Sequence, residues 1–143
     1  GFGLLKWPPV YERLPVYYAH LLLHDIAGLA PGTQLLRVSV SSGSPADGPE
    51  AEPEAHPLAA FAVRQAHLRS LVFVNRDVKE TVTVTLRGLP VNWGHEAELY
   101  RYTTTRIPDA LYPLGRVPLT TDGSVCTLPP CSIVVLRTVM PPQ

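Results

Sequence analysis

The chain has 143 residues, with 12 Lys and Arg balanced by 12 Asp and Glu. That length supports one core, burying roughly two-thirds of the surface an unfolded chain exposes, and a net charge of +0 leaves no electrostatic footprint for nucleic acid or an anionic membrane. Sixteen prolines, about twice the usual share, argue against an all-helical protein, and no apolar run reaches the roughly 20 residues that span a bilayer.

In chain order, residues 2–7 read as a short buried strand stopped by Pro8 and Pro9. Over residues 14–27, Leu14, Tyr17, Tyr18, Leu21, Leu22 and Ile26 recur at three- and four-residue steps. This spacing predicts an amphipathic helix with Pro15 in its first turn and Gly28 as its C-cap. Residues 1–30 therefore form a strand–helix segment. After the turn at Pro31-Gly32, residues 34–41 alternate and place Leu36, Val38 and Val40 on one face. Residues 42–57 are rich in Ser, Gly, Pro, Ala and Glu without periodicity and are expected to be a flexible loop. Strands then follow at 59–65, 69–75, 81–87, 96–102, 116–119, 124–128 and 132–138, with turn chemistry at Asn75-Arg76-Asp77 and Asp122-Gly123. The cleanest alternation is Thr81-Val82-Thr83-Val84-Thr85-Leu86, while Ile133-Val134-Val135-Leu136 is a continuous run suited to burial on both faces. The fold class is mainly β: an antiparallel β-sandwich of seven or eight strands over residues 31–143, preceded by one amphipathic helix.

Candidate chemistry is sparse. His20 and His24 have the helical spacing that lets two imidazoles share a metal, but a zincin needs Glu where this chain has Leu21, and no third ligand is near in sequence. A polar helix edge is the better reading, and no metal or cofactor is expected. Glu50, Glu52 and Glu54 lie beside Asp47 in the loop, where nothing holds two carboxylates at the separation glycoside hydrolysis needs. No nucleophile elbow, phosphate loop or Cys–His pair is present, so no residue is assigned a catalytic role. Trp7, Trp93, Tyr100, Tyr102 and Tyr112 are the candidate sugar-stacking rings. Packing alternatives stand beside them: Trp7 against the helix, Trp93 over the sandwich edge, and Tyr100 and Tyr102, which share one face of a strand, against side chains of neighbouring strands. Cys126 and Cys131 flank a turn that a disulfide could bridge, although two small buried side chains are the preferred reading.

Four segments, read in order, resemble the C-terminal part of a clan A retaining glycoside hydrolase: residues 1–7, then 15–19, then 71–75, and finally 128–136. The nearest likenesses are to heparanase and β-glucuronidase-like families and to xylosidase and iduronidase-like ones. The resemblance implies the last strand and helix of a (β/α)8 barrel followed by its β-sandwich. It places both catalytic glutamates upstream of this sequence and leaves Trp7 as the single match to an active-site position. Cys131 stands where these families often carry an aromatic residue. The implied function is a noncatalytic accessory domain of a carbohydrate-active enzyme. Its partner would be the barrel of the same parent protein, in a secreted or lysosome-like setting. The competing reading is an independent carbohydrate-binding module that takes a polysaccharide or glycan on its exposed rings. If the barrel is missing, the apolar helix face of 14–26 must dock on the sandwich, pair with another copy, or stay exposed.

Overall fold

The computed structural model describes residues 15–40, 58–89, 93–103, 112–120 and 123–139. Helix α1, Pro15–Leu21, continues into a π-helical turn, Leu22–Ile26. The strands are β1 Gln34–Leu36, β2 Leu58–Arg64, β3 Leu68–Asn75, β4 Val82–Leu86, β5 Glu96–Tyr102, β6 Gly115–Pro118, β7 Ser124–Leu128 and β8 Ser132–Val139. Six form one antiparallel sheet in the order β1-β2-β3-β8-β5-β6, and β4 pairs with β7 in a second. The fold is therefore mainly β, as the alternation predicts. The strand expected at 2–7 and the loop expected at 42–57 lie outside the described residues.

The central strands β3 and β8 are covered on both sides. Successive strand residues point to opposite faces, and here both faces have a partner layer. Leu71, Phe73, Val134 and Leu136 share one core with Leu58, Ala62, Leu86, Cys126 and Leu128, which fills the space between the six-stranded sheet and the β4–β7 ribbon. Val72 and Val135 share the other with Leu22, Ala27 and Tyr100, beneath the helix. Val72 lies directly opposite Val135, and Phe73 opposite Val134. Each such side chain, fully buried, contributes about 1.5–3 kcal/mol. The ribbon follows simple alternation, with Val82, Val84 and Leu86 turned toward the core and Thr83 and Thr85 exposed.

One expected strand is shorter than its pattern. The alternation over 34–41 predicts eight residues of strand, yet β1 ends at Leu36. Among the described residues β2 is its single neighbour, so beyond the ladder side-chain packing acts on it. Val38 still packs against the core, whereas Val40 is exposed.

Gly28 ends the helix for a steric reason. Its φ is +79°, and a Cβ there would stand 2.5 Å from Leu68 Cδ2. The Leu29 N–H donates to Leu23 O at 2.9 Å, closing the helix end, and Gln65 Nε2 donates to Gly28 O at 2.8 Å. Glycine is thus required both by the left-handed backbone and by the closeness of the sheet.

Two turns at one end of the sandwich are tied together by a buried side chain. Asn75, 1% exposed at the end of β3, donates from Nδ2 to Glu80 O at 3.0 Å, Leu128 O at 3.2 Å and Pro129 O at 2.9 Å. Its Oδ1 accepts from the Asp77 N–H at 3.0 Å. One amide thereby links the β3–β4 turn to the β7–β8 turn, and so one sheet to the other. Asp77 extends the link: its carboxylate accepts from Lys79 N–H at 2.9 Å and Glu80 N–H at 3.0 Å, and its carbonyl accepts from Cys131 N–H at 2.9 Å. Ser132 Oγ donates to Pro129 O at 2.7 Å across the second turn.

Asn75→Ala removes the buried side-chain donor from Leu128 O and one of the two donors to Pro129 O, so it should cost about 2–3 kcal/mol in urea unfolding. A change within experimental error would show that the inter-sheet link contributes nothing. Asp77 gives a pH signature. Backbone donation from Lys79 and then Glu80 holds its carboxyl below the ordinary 3.8. The stabilisation is present above about pH 4 and is lost as pH falls through the lowered folded value. Asp77→Asn should therefore flatten the acid limb of the melting-temperature profile below about pH 4; an unchanged acid limb would remove Asp77 from it.

Candidate functional site

The polar groups closest to a constellation sit on the helix-covered face, at the junction of β5 and β8. Glu98 and Arg137 are cross-strand partners, and Tyr100 follows two residues after Glu98 on the same face. Tyr100 OH donates to Glu98 Oε2 at 2.5 Å, and the Arg137 guanidinium carbon lies 5.9 Å from the centre of the Tyr100 ring. Burial first, then the Glu98 hydrogen bond, raises the Tyr100 pKa, with the Arg137 charge opposing. The phenol therefore stays neutral and acts as a donor. This trio was not read from the sequence, because Glu98 and Arg137 become neighbours only once the β5–β8 register is known. The cluster is packed, with Tyr100 itself 4% exposed, while Arg137 Nε is buried without a hydrogen-bond partner among the described residues.

The described carboxylates of Asp25, Asp77, Glu96 and Glu98 are widely dispersed. Asp25 Oδ1 is 2.7 Å from His24 Nδ1, Asp77 caps its own turn, and Glu96 Oε1 accepts from Arg116 Nη1 at 2.5 Å. With Glu98 holding Tyr100, each of these carboxyls has a local partner. His20 and His24 are both on the exposed side of the helix. Among the described residues no group of three or more His, Cys, Asp or Glu side chains is placed to hold a metal.

The candidate rings do not converge. Trp93 is 5% exposed within the core between the sheets, packed with Ala97, Leu119 and Leu86. Tyr100 is buried, and Tyr102 is half-buried beside the helix, where burial raises its pKa. Tyr112, 69% exposed before β6, is the one described candidate whose ring faces solvent. Trp7 lies outside the described residues. Trp93 packs inside the core between the sheets and not over the sandwich edge, and Tyr100 and Tyr102 pack beneath the helix, so no flat aromatic platform is assembled from them.

The disulfide considered for Cys126 and Cys131 is not formed; both thiols are free. Cys126 faces the core opposite Val84, whereas Cys131 is exposed in the β7–β8 turn at φ 50°. The two side chains leave the ribbon in different directions, one inward and one to solvent, and the preferred reading of two buried cysteines holds only for Cys126. Burial raises the Cys126 pKa, and the Arg101 charge offsets part of this. With a thiol-specific reagent, the native protein should label at one cysteine, and the second should react only on unfolding. Two native labels, or none, would contradict this placement.

No protein-family model and no curated protein matches the chain. Its fold is that of a sandwich found within glycoside hydrolase structures. The chain is similar to a GH30 endoxylanase from Clostridium papyrosolvens C71, with TM-score 0.67 and 12% identity over 94% of this chain and 31% of that one. It is also similar to a glycoside hydrolase family 30 subfamily 8 xylanase from Clostridium acetobutylicum, with TM-score 0.69 and 10% identity over 96% of this chain and 30% of that one. A conserved exported protein from Bacteroides fragilis shares the fold less fully, with TM-score 0.53 and 17% identity over 77% of this chain and 19% of that one. The chain thus spans about a third of the length of the xylanase chains it matches. At these identities the likeness is one of fold.

Proposed function

We propose that this chain is a noncatalytic accessory β-sandwich of a carbohydrate-active enzyme, and that it supports a catalytic (β/α)8 barrel belonging to the same parent protein. The observation that carries this reading is the extent of the fold match: more than nine-tenths of the chain superposes on less than a third of each xylanase. The role is mechanical. Apolar surface buried between sandwich and barrel stabilises both, at about 25 cal/mol per Å² before the costs of ordering.

An independent carbohydrate-binding module is the weaker reading, because Tyr112 is the one described candidate ring open to solvent. A stacking platform draws on several rings, each worth a modest increment.

The coding sequence upstream of Gly1 tests the proposal. It should encode a barrel with glutamates at the ends of its fourth and seventh strands, and deleting residues 33–143 from that longer protein should lower its melting temperature or abolish soluble expression. An upstream sequence with no barrel, or a barrel that is equally stable and active without this segment, would overturn the proposal.

A further inference from the structure

The residue spacing alone favours a polar helix edge for His20 and His24, and the folded helix adds two features to it. Both side chains are exposed. In an α-helix of 3.6 residues per turn, residues four apart overshoot one turn and stand with Cβ atoms about 5–6 Å apart. Here the helix changes pitch between the two, because His20 lies in α1 and His24 in the π-helical turn. The i→i+5 bonding of that turn, seen where Ala27 N–H donates to Leu22 O at 2.9 Å, takes more residues per turn. It rotates His24 back toward the line of His20, which brings the two imidazoles closer to one azimuth.

A carboxylate already orients one of the rings. Asp25 Oδ1 lies 2.7 Å from His24 Nδ1, and an ionised carboxylate only accepts, so Nδ1 carries the hydrogen. The neutral ring then keeps its lone pair on Nε2. A carboxylate placed in this way fixes the tautomer of a metal-binding histidine and raises its basicity. The His24 and Asp25 side chains are 66% and 56% exposed, so an ion reaches the pair without any opening of the fold.

We propose, independently of the accessory-domain reading, that His20 and His24 chelate one divalent transition-metal ion, Cu2+ in preference to Zn2+ or Ni2+, through one ring nitrogen each, with Asp25 orienting the His24 ring. Imidazole suits these ions, and the general affinity order places Cu2+ highest. Mg2+ and Ca2+ take oxygen ligands instead. Among the described residues no third His, Cys, Asp or Glu stands with the pair, so the remaining coordination positions go to water and the ion is exchangeable. One imidazole belongs to α1 and the other to the π-helical turn, so the ion clasps together the two halves of the segment that covers the sheet.

Equilibrium dialysis of the untagged 143-residue chain against Cu2+ tests it, with Cys131 alkylated because its exposed thiol would compete for the ion. One ion should bind per chain, undisplaced by excess Mg2+. His20→Asn and His24→Asn should each weaken binding by about tenfold or more, and Asp25→Ala by about tenfold, the lower end for losing an orienting partner because this one is exposed. His67→Asn, at an exposed histidine off the helix, should change nothing. Should a variant fail to fold, the native chain still decides: substoichiometric Cu2+ should broaden the amide NMR signals of residues 20–25 before any others. Binding that does not saturate, binding that survives both histidine changes, or first broadening elsewhere overturns the proposal. Each of these outcomes leaves the upstream barrel test untouched, so the two readings fall separately.

Discussion

Everything in this molecule depends on β3 and β8 lying side by side with both of their faces covered. A sheet strand presents alternate residues to two sides, so a continuous apolar run is stable only where each side has its own partner layer. Leu71-Val72-Phe73 and Val134-Val135-Leu136 meet that condition because the β4–β7 ribbon covers one side and the helix with its π-helical turn covers the other. Among the described residues the ribbon has two strands facing a sheet of six, and the helical segment runs from Pro15 to Ile26. Their attachment is specific: Gly28 lets the helix end lie against Leu68, and the Asn75 amide holds the ribbon's turns to the end of the sheet.

How much of this was legible in the chain follows from the range over which each signal acts. The alternation at Val82-Thr83-Val84-Thr85-Leu86 and the run at Ile133-Val134-Val135-Leu136 are local and translate directly into a half-exposed strand and a doubly buried one. The helix is equally visible, with its stop at Gly28, although its π-helical second half has no mark in the residue spacing. Asn75 reads as a turn residue, which is only part of its role. The carbonyls at Leu128 and Pro129 that it serves are more than fifty positions away, and no local pattern connects them. The Glu98–Tyr100–Arg137 cluster was hidden for the same reason, since it exists only through the β5–β8 register. Trp93 was read both as a ring for sugar and as a ring for packing; its place among Leu86, Ala97 and Leu119 depends on which layer its loop covers.

The proposed accessory role rests on the fold match. The described carboxyls of Asp25, Asp77, Glu96 and Glu98 each have a near partner, and the aromatic rings of Trp93 and Tyr100 fill cores.

Hydrogen–deuterium exchange on the 143-residue chain, followed by mass spectrometry of peptides, tests the two-sided covering of the sheet most directly. The slowest amides should lie in β3 and β8, and those of residues 22–27 should be protected with them, because the helix and the sheet it covers open together. Fast exchange over 22–27 beside a slow sheet would mean that the helix does not seal that face, and the account built on double burial would fail.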